Sequence, residues 1–192
     1  MQIAILDYGG QYVQNIRRAF REMAISAEIV PPDVTIEDLR GCSGIVLSGG
    51  PYSVYQDGAP DVDESILHSG TPILGLCYGH QLIAYKLGGE VAGGRSGEYG
   101  FAELTIQRGI PLFEGIEERQ ICWMSHGDEV KTLPEGFVSV ASTAECPNAA
   151  MANLERSIYG LQFHPEVEHT EYGERIIENF LEVCRRWRKE KK

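Results

Sequence analysis

The chain predicts an α/β protein, a three-layer open sheet that is mostly parallel, with helices on both faces and antiparallel extensions. Three observations carry this. The first half alternates short apolar runs with amphipathic stretches, as strand–helix–strand units do. The second half replaces the helices by strand-like runs separated by turns, the pattern of antiparallel strands. A length of 192 residues with 43% apolar content suits one ordinary globular domain, so residues 1–192 are read as a single domain.

Residues 2–6 form a first apolar strand, stopped by Asp7-Tyr8-Gly9-Gly10. Residues 11–23 place Val13, Ile16, Ala19, Phe20 and Met23 at helical spacing. Residues 27–30 are a second strand ended by Pro31-Pro32, and 44–47 a third ended by Ser48-Gly49-Gly50-Pro51. Residues 62–68 read as a short helix, 72–76 as a fourth strand, and 78–87 as a helix stopped by Gly88-Gly89. Strand-like runs follow at 98–107, 120–124, 137–142, 149–154 and 157–163. Residues 172–187 close the fold as a helix, with Ile176, Ile177, Phe180, Val183, Cys184 and Trp187 on one stripe.

Composition narrows the classes of function. No run of apolar residues is long enough to span a membrane. The start, Met1-Gln2-Ile3-Ala4-Ile5-Leu6, lacks a basic segment and reads as a strand, not a signal peptide. A formal net charge of −11 opposes a nucleic-acid surface. Only the tail is basic, with Arg185, Arg186, Arg188, Lys189, Lys191 and Lys192, and cations there oppose the dipole at a helix C-terminus. Five scattered cysteines, Cys42, Cys77, Cys122, Cys146 and Cys184, contain no CxxC pair and fit free thiols in a reducing cytoplasm.

The most informative stretch is Gly75-Leu76-Cys77-Tyr78-Gly79-His80-Gln81, a G-x-C-x-G between an apolar strand and a helix. It is the cysteine form of the nucleophile elbow. The turn lifts the nucleophile clear of the sheet, and the crowding leaves little room for a Cβ at −2 and +2. Cys77 lands at a helix N-terminus, where the dipole favours thiolate. The N–H of Tyr78 is placed to receive an oxyanion. A lone G-x-C-x-G also fits a buried cysteine in a tight turn; the end of a parallel strand, where open sheets bind ligands, favours catalysis.

A thiol nucleophile needs a base. Of five histidines, His68 ends a surface helix, His80 sits one turn into the elbow helix and His169 is solvated near the last helix. His126 and His164 both follow strands. His164 is preferred because Pro165 stiffens its turn and Glu166 can fold back to orient the ring. Zinc ligation by His164, Glu166, Glu168 and His169 is the lesser reading, since no H-x-x-x-H or H-E-x-x-H spacing occurs; no metal is expected.

Together, Gly75 to Gln81 and His164-Pro165-Glu166 resemble the two signatures of class I, triad-type glutamine amidotransferase domains. Within that family, Asp7-Tyr8-Gly9-Gly10-Gln11-Tyr12 and Gln162 to Thr170 resemble the GMP synthetase branch, and Leu47-Ser48-Gly49-Gly50-Pro51 resembles the family's oxyanion loop. The resemblance covers nearly the whole chain. It implies a flavodoxin-like sheet and a Cys77–His164–Glu166 triad that attacks the γ-amide of L-glutamine through a glutamyl thioester. It further implies an oxyanion hole from the N–H groups of Gly50 and Tyr78. Substrate contacts would come from Gln81 and from Ser125, Gly127 and Asp128, with Ser125 standing where related members often carry Asn.

The full GMP synthetase reaction adenylates xanthosine monophosphate with ATP, and this chain has neither G-x-x-x-x-G-K-[ST] nor G-x-G-x-x-G. Ser48-Gly49-Gly50-Pro51 begins like a pyrophosphatase loop, but Pro51-Tyr52-Ser53 breaks the match. The resemblance therefore implies that the ATP pyrophosphatase is a separate subunit, carrying the ATP and magnesium, and that this chain holds no cofactor. The alternatives are an amidotransferase subunit of anthranilate or aminodeoxychorismate synthase, and a non-catalytic regulatory module of the same fold. Val167 and His169-Thr170 oppose the first, whose motif usually reads His-Pro-Glu-Ser; an intact Cys, His and Glu opposes the second.

Overall fold

A computed structural model of the chain describes residues 1–191, with the side chain of Arg95 left aside; Lys192 of the basic tail lies outside the described residues. The strands are β1 (Gln2–Leu6), β2 (Ser26–Val30), β3 (Gly44–Leu47), β4 (Ile73–Leu76), β5 (Glu90–Ile106), β6 (Arg119–Thr132), β7 (Val138–Ser142), β8 (Ala150–Asn153) and β9 (Ile158–Leu161). The helices are α1 (Val13–Glu22), α2 (Glu64–Leu67), α3 (Tyr78–Lys86) and α4 (Gly173–Glu190). All the strands join one sheet in the order β2-β1-β3-β4-β9-β8-β7-β5-β6. The pairs from β2 to β9 are parallel and those from β9 to β6 antiparallel. This is the α/β mixed sheet that the alternation of runs predicts.

The three layers follow from side-chain alternation along the central strands. Ile3 and Ile5 face a core that includes Ile16 and Phe20 of α1 and Ile176 and Phe180 of α4. Ala4 and Leu6 face the opposite core, with Ile66 and Leu67 of α2 and Leu82 and Ile83 of α3. Strands β1, β3, β4 and β9 are neighbours and parallel, so their C-terminal ends lie along one edge. That edge carries the 7–12 loop, the 48–51 loop, Cys77 and His164.

Two strands are longer than their sequence pattern. β5 begins at Glu90, whereas the apolar alternation starts at Glu98. Its first half holds Gly93, Gly94 and Gly97, which lack strand propensity, and pairing with β6 orders it across a register shift between Gly93 and Glu98. β6 runs on through Ser125-His126-Gly127-Asp128 to Thr132, so the candidate substrate segment is strand, not a loop after one. None of the five cysteines is disulfide-linked, and no described helix is long and apolar enough to cross a membrane.

Candidate active site

Cys77 stands between β4 and α3 with φ 50° and ψ −103°, one of the few non-glycine residues at positive φ. Such a conformation costs of order 1–3 kcal/mol and persists only where the surroundings impose it. Its N–H donates to the Leu161 carbonyl (2.8 Å), and the Gly79 N–H donates to the Ser48 carbonyl (3.1 Å). The glycines are forced by contact. A Cβ on Gly75 would lie 2.6 Å from the Gly79 oxygen, and one on Gly79 would strike the Leu47 carbonyl of β3. Gly79→Ala is therefore expected to cost about 3 kcal/mol, the upper end for overpacking, or roughly 6–12 °C in melting temperature. Calorimetry checks this; a variant melting within a degree or two of wild type would show that the elbow yields.

His164 is held from several sides. Its N–H donates to the Trp123 carbonyl (3.1 Å), and its own carbonyl accepts from Thr170 Oγ1 (2.6 Å). Nδ1 donates to Glu166 Oε1 at 2.8 Å, because a carboxylate can only accept. Nε2 is the ring nitrogen left on the side of Cys77: His164 Cε1 and Cys77 Cβ lie 3.3 Å and 3.6 Å from where a Cβ on Gly49 would stand. Tyr12 meets the ring edge-on at 5.1 Å. Burial alone would push His164 down. The charge of Glu166, its hydrogen bond and the neighbouring Cys77 outweigh it and hold the imidazole well above its ordinary value of 6.5.

The other sequence-predicted residues gather around this pair. Cys77, His164, Gly50, Gln81, Gly127 and Asp128 all line one pocket of about 470 Å³, within the range of small-molecule sites. Among the described residues neither the Gly50 nor the Tyr78 N–H donates a hydrogen bond, and both residues line the pocket. Gly50 is pressed against Tyr8, and the Ser48 hydroxyl accepts from the Tyr8 N–H (3.0 Å), so the loop is fixed to the end of β1. The Ser125 carbonyl accepts from the Cys77 thiol at 3.6 Å. Gln81 Nε2 donates to the Asp128 carbonyl (2.8 Å) and to Gln162 Oε1 (3.1 Å), which leaves its Oε1 as the free end. The Asp128 carboxylate accepts from Ser53 Oγ (2.5 Å) and Tyr55 OH (2.8 Å).

Of the remaining histidines, His126 also lines this pocket, but both its ring nitrogens are engaged, Nδ1 2.9 Å from the Asp128 carbonyl and Nε2 2.9 Å from Glu98 Oε2. His80 is buried against Gly160 of β9, and burial pushes its imidazole down to about 3. His68 is exposed, and His169 is exposed with its ring against Trp123. Glu168 is exposed too, and among the described residues the four weighed as zinc ligands do not form a group of converging ligand atoms. Tyr12, Gln162 and Thr170 stand in the quoted motif stretches, but motif reading gave them no role at the site. Gln162 had one available signal: it is the amide inside the apolar run before His164.

Comparison with known proteins agrees with this geometry. The sequence profile of the family described as glutamine amidotransferase class-I matches residues 4–184. A GMP synthase (glutamine-hydrolyzing) of Caldanaerobacter subterraneus subsp. tengcongensis is 53% identical over 95% of this chain, and one of Clostridium novyi is 49% identical over 93%. The chain spans 36% and 35% of their respective lengths. A crystal structure of a candidate GMP synthase subunit from Thermoplasma acidophilum superposes with a TM-score of 0.89 at 34% identity, covering 100% of this chain and 97% of that one. A glutamine amidotransferase of Thermotoga maritima shares the fold at 22% identity, with a TM-score of 0.73 over 100% of this chain and 85% of that one. A profile match along nearly the whole chain, on a sheet whose edge carries the family's signature residues, places this protein among the class I glutamine amidotransferases, of GMP synthase type.

Proposed function

We propose that the chain hydrolyses glutamine to glutamate and ammonia, and that the ammonia passes to a separate ATP-dependent synthetase subunit that converts xanthosine monophosphate to GMP. The observation that carries the first half is the strained Cys77, in one pocket with the hydrogen-bonded His164–Glu166 pair and beside two N–H groups without acceptors. The second half is supported by kinship with GMP synthases and by likeness to the Thermoplasma protein, which is described as a candidate GMP synthase subunit.

In this reading Cys77 Sγ attacks the γ-amide carbon and the thiol proton moves to His164 Nε2. The carbonyl oxygen becomes an oxyanion, which the N–H groups of Gly50 and Tyr78 receive. Collapse breaks the C–N bond, and His164 returns its proton to the leaving nitrogen, releasing ammonia and leaving a glutamyl thioester. Water then attacks the thioester carbon while His164 takes its proton; the C–S bond breaks, the proton returns to Cys77 Sγ, and glutamate leaves. Glu166 orients the ring and supports its charge. Gln81 presents Oε1, an acceptor for an N–H of the substrate. Ser125, Gly127 and Asp128 frame the amino-acid end.

The test is reconstitution. The chain is used to capture its partner from the source cell, and both are assayed with glutamine, ATP, magnesium and xanthosine monophosphate. Ammonia release is expected to rise on adding the partner, and GMP is expected only with both chains. No glutamine turnover in the complete mixture would overturn the reading.

A further inference from the structure

Gln162 is a fourth side chain at the nucleophile. It lies between β9 and His164 and is fully buried, with its N–H donating to the Ala149 carbonyl at 2.8 Å. A buried primary amide in an apolar run is costly unless its groups are paired. Its two ends face Gln81 Nε2 at 3.1 Å and Cys77 Sγ at 3.7 Å.

Which end is nitrogen follows from one backbone group. The Asp128 carbonyl can only accept, so the Gln81 atom 2.8 Å from it is the amide nitrogen. That same nitrogen faces Gln162, which must therefore turn its oxygen toward Gln81. The nitrogen of Gln162 is left pointing at the sulfur. The relay from Asp128 through Gln81 and Gln162 has a single polarity, and it ends in a donor aimed at Cys77.

We propose that Gln162 is a catalytic hydrogen-bond donor to the Cys77 sulfur, beside His164, and that it stabilises negative charge on sulfur in the attack and again when the thioester is cleaved. The proposal rests on the glutamine-hydrolysing reading above. The contact discriminates between states of the sulfur. A neutral thiol uses its hydrogen on the Ser125 carbonyl. A thiolate has no hydrogen to give and gains from every donor within reach, since hydrogen bonds to a charged acceptor are about twice as strong as neutral ones. Gln162 therefore interacts more strongly with the reacting form than with the resting form, as catalysis requires.

Alkylation of Cys77 by iodoacetamide, followed by mass spectrometry on the full chain, reads the sulfur without using the glutamine subsite. Gln162→Met keeps length and volume and removes the donor; Gln162→Leu serves if the methionine variant does not fold. Alkylation at pH 7 is expected to slow about threefold to tenfold, the lost hydrogen bond being offset in part by the greater nucleophilicity of a more basic thiolate. With the synthetase partner present, kcat for ammonia release is expected to fall by a larger factor than KM rises. Wild-type alkylation in a folded variant, with only KM raised, would mean that Gln162 merely holds Gln81, and the proposal would fail. A wild-type chain that alkylates normally yet releases no ammonia with its partner would sink the glutaminase reading instead, while the ranking of alkylation rates still decides the role of Gln162.

Discussion

Replacing Cys77 by alanine or glycine is expected to reduce ammonia release from glutamine by about 10⁴-fold or more, and to leave the glycine variant the more stable of the two. The loss of activity follows from removing the atom that forms the thioester. Neither His164 nor water held in its place can form that bond, so the barrier reverts toward that of unassisted hydrolysis. The order of stabilities is the sharper part. In an ordinary helix or strand, alanine exceeds glycine by roughly 0.5–1 kcal/mol. At φ 50° and ψ −103° the order inverts, because only glycine adopts that region freely. The glycine variant should exceed the alanine variant by about 1 kcal/mol, or about 2–4 °C in melting temperature. An alanine variant that melts at or above the glycine variant would mean that the backbone is not strained at Cys77. Ammonia release near the wild-type rate in either variant would remove Cys77 from the chemistry.

The sequence showed the parts of this protein whose signal is local. Strands β1, β3 and β4 are buried on both faces, so they read as unbroken apolar runs, and the helix between two such runs forces a parallel crossover. The elbow is legible because its crowding leaves glycines at fixed offsets from Cys77. His164 and Glu166 are legible as a pair because they stand two residues apart in the sequence. What escaped is held by distant partners. Gln162 meets Cys77 across 85 positions and Gln81 across 81, and neither contact leaves a spacing in the sequence. The early part of β5 escaped because its glycines carry no strand signal, and β6 supplies the pairing that makes it a strand. His126 and His164 both follow apolar runs, and pattern preferred His164 only through the Pro165-Glu166 that comes after it. The structure separates them through Glu98, which takes up the His126 ring nitrogen that would otherwise be free.

The same separation sets the second large effect. His164→Ala is expected to lower kcat for ammonia release by about 10²–10⁴-fold, the usual range for a general base. Glu166→Gln should cost less, about tenfold to a hundredfold, because the amide oxygen can still accept from Nδ1 while its charge is gone. His126→Ala should fall short of the His164 loss, and an equal loss would undermine the choice of base. Glu166→Gln also has a signature in stability. Glu166 Oε1 is bonded to His164, and Oε2 has no hydrogen-bond partner among the described residues, so the imidazolium is the main compensation for this buried charge. In the folded chain the His164 imidazole sits above 6.5 because the Glu166 charge, its hydrogen bond and the neighbouring Cys77 overcome burial. A group raised on folding stabilises most below its unfolded value and loses that contribution as pH rises through the folded value. The wild-type advantage over Glu166→Gln should therefore be largest just below pH 6.5 and shrink as the solution becomes alkaline. Urea unfolding of both proteins from pH 6 upward measures it. An advantage that grows with pH would show that Glu166 does not hold a proton on His164, and the ordering of base and orienter would have to be redrawn.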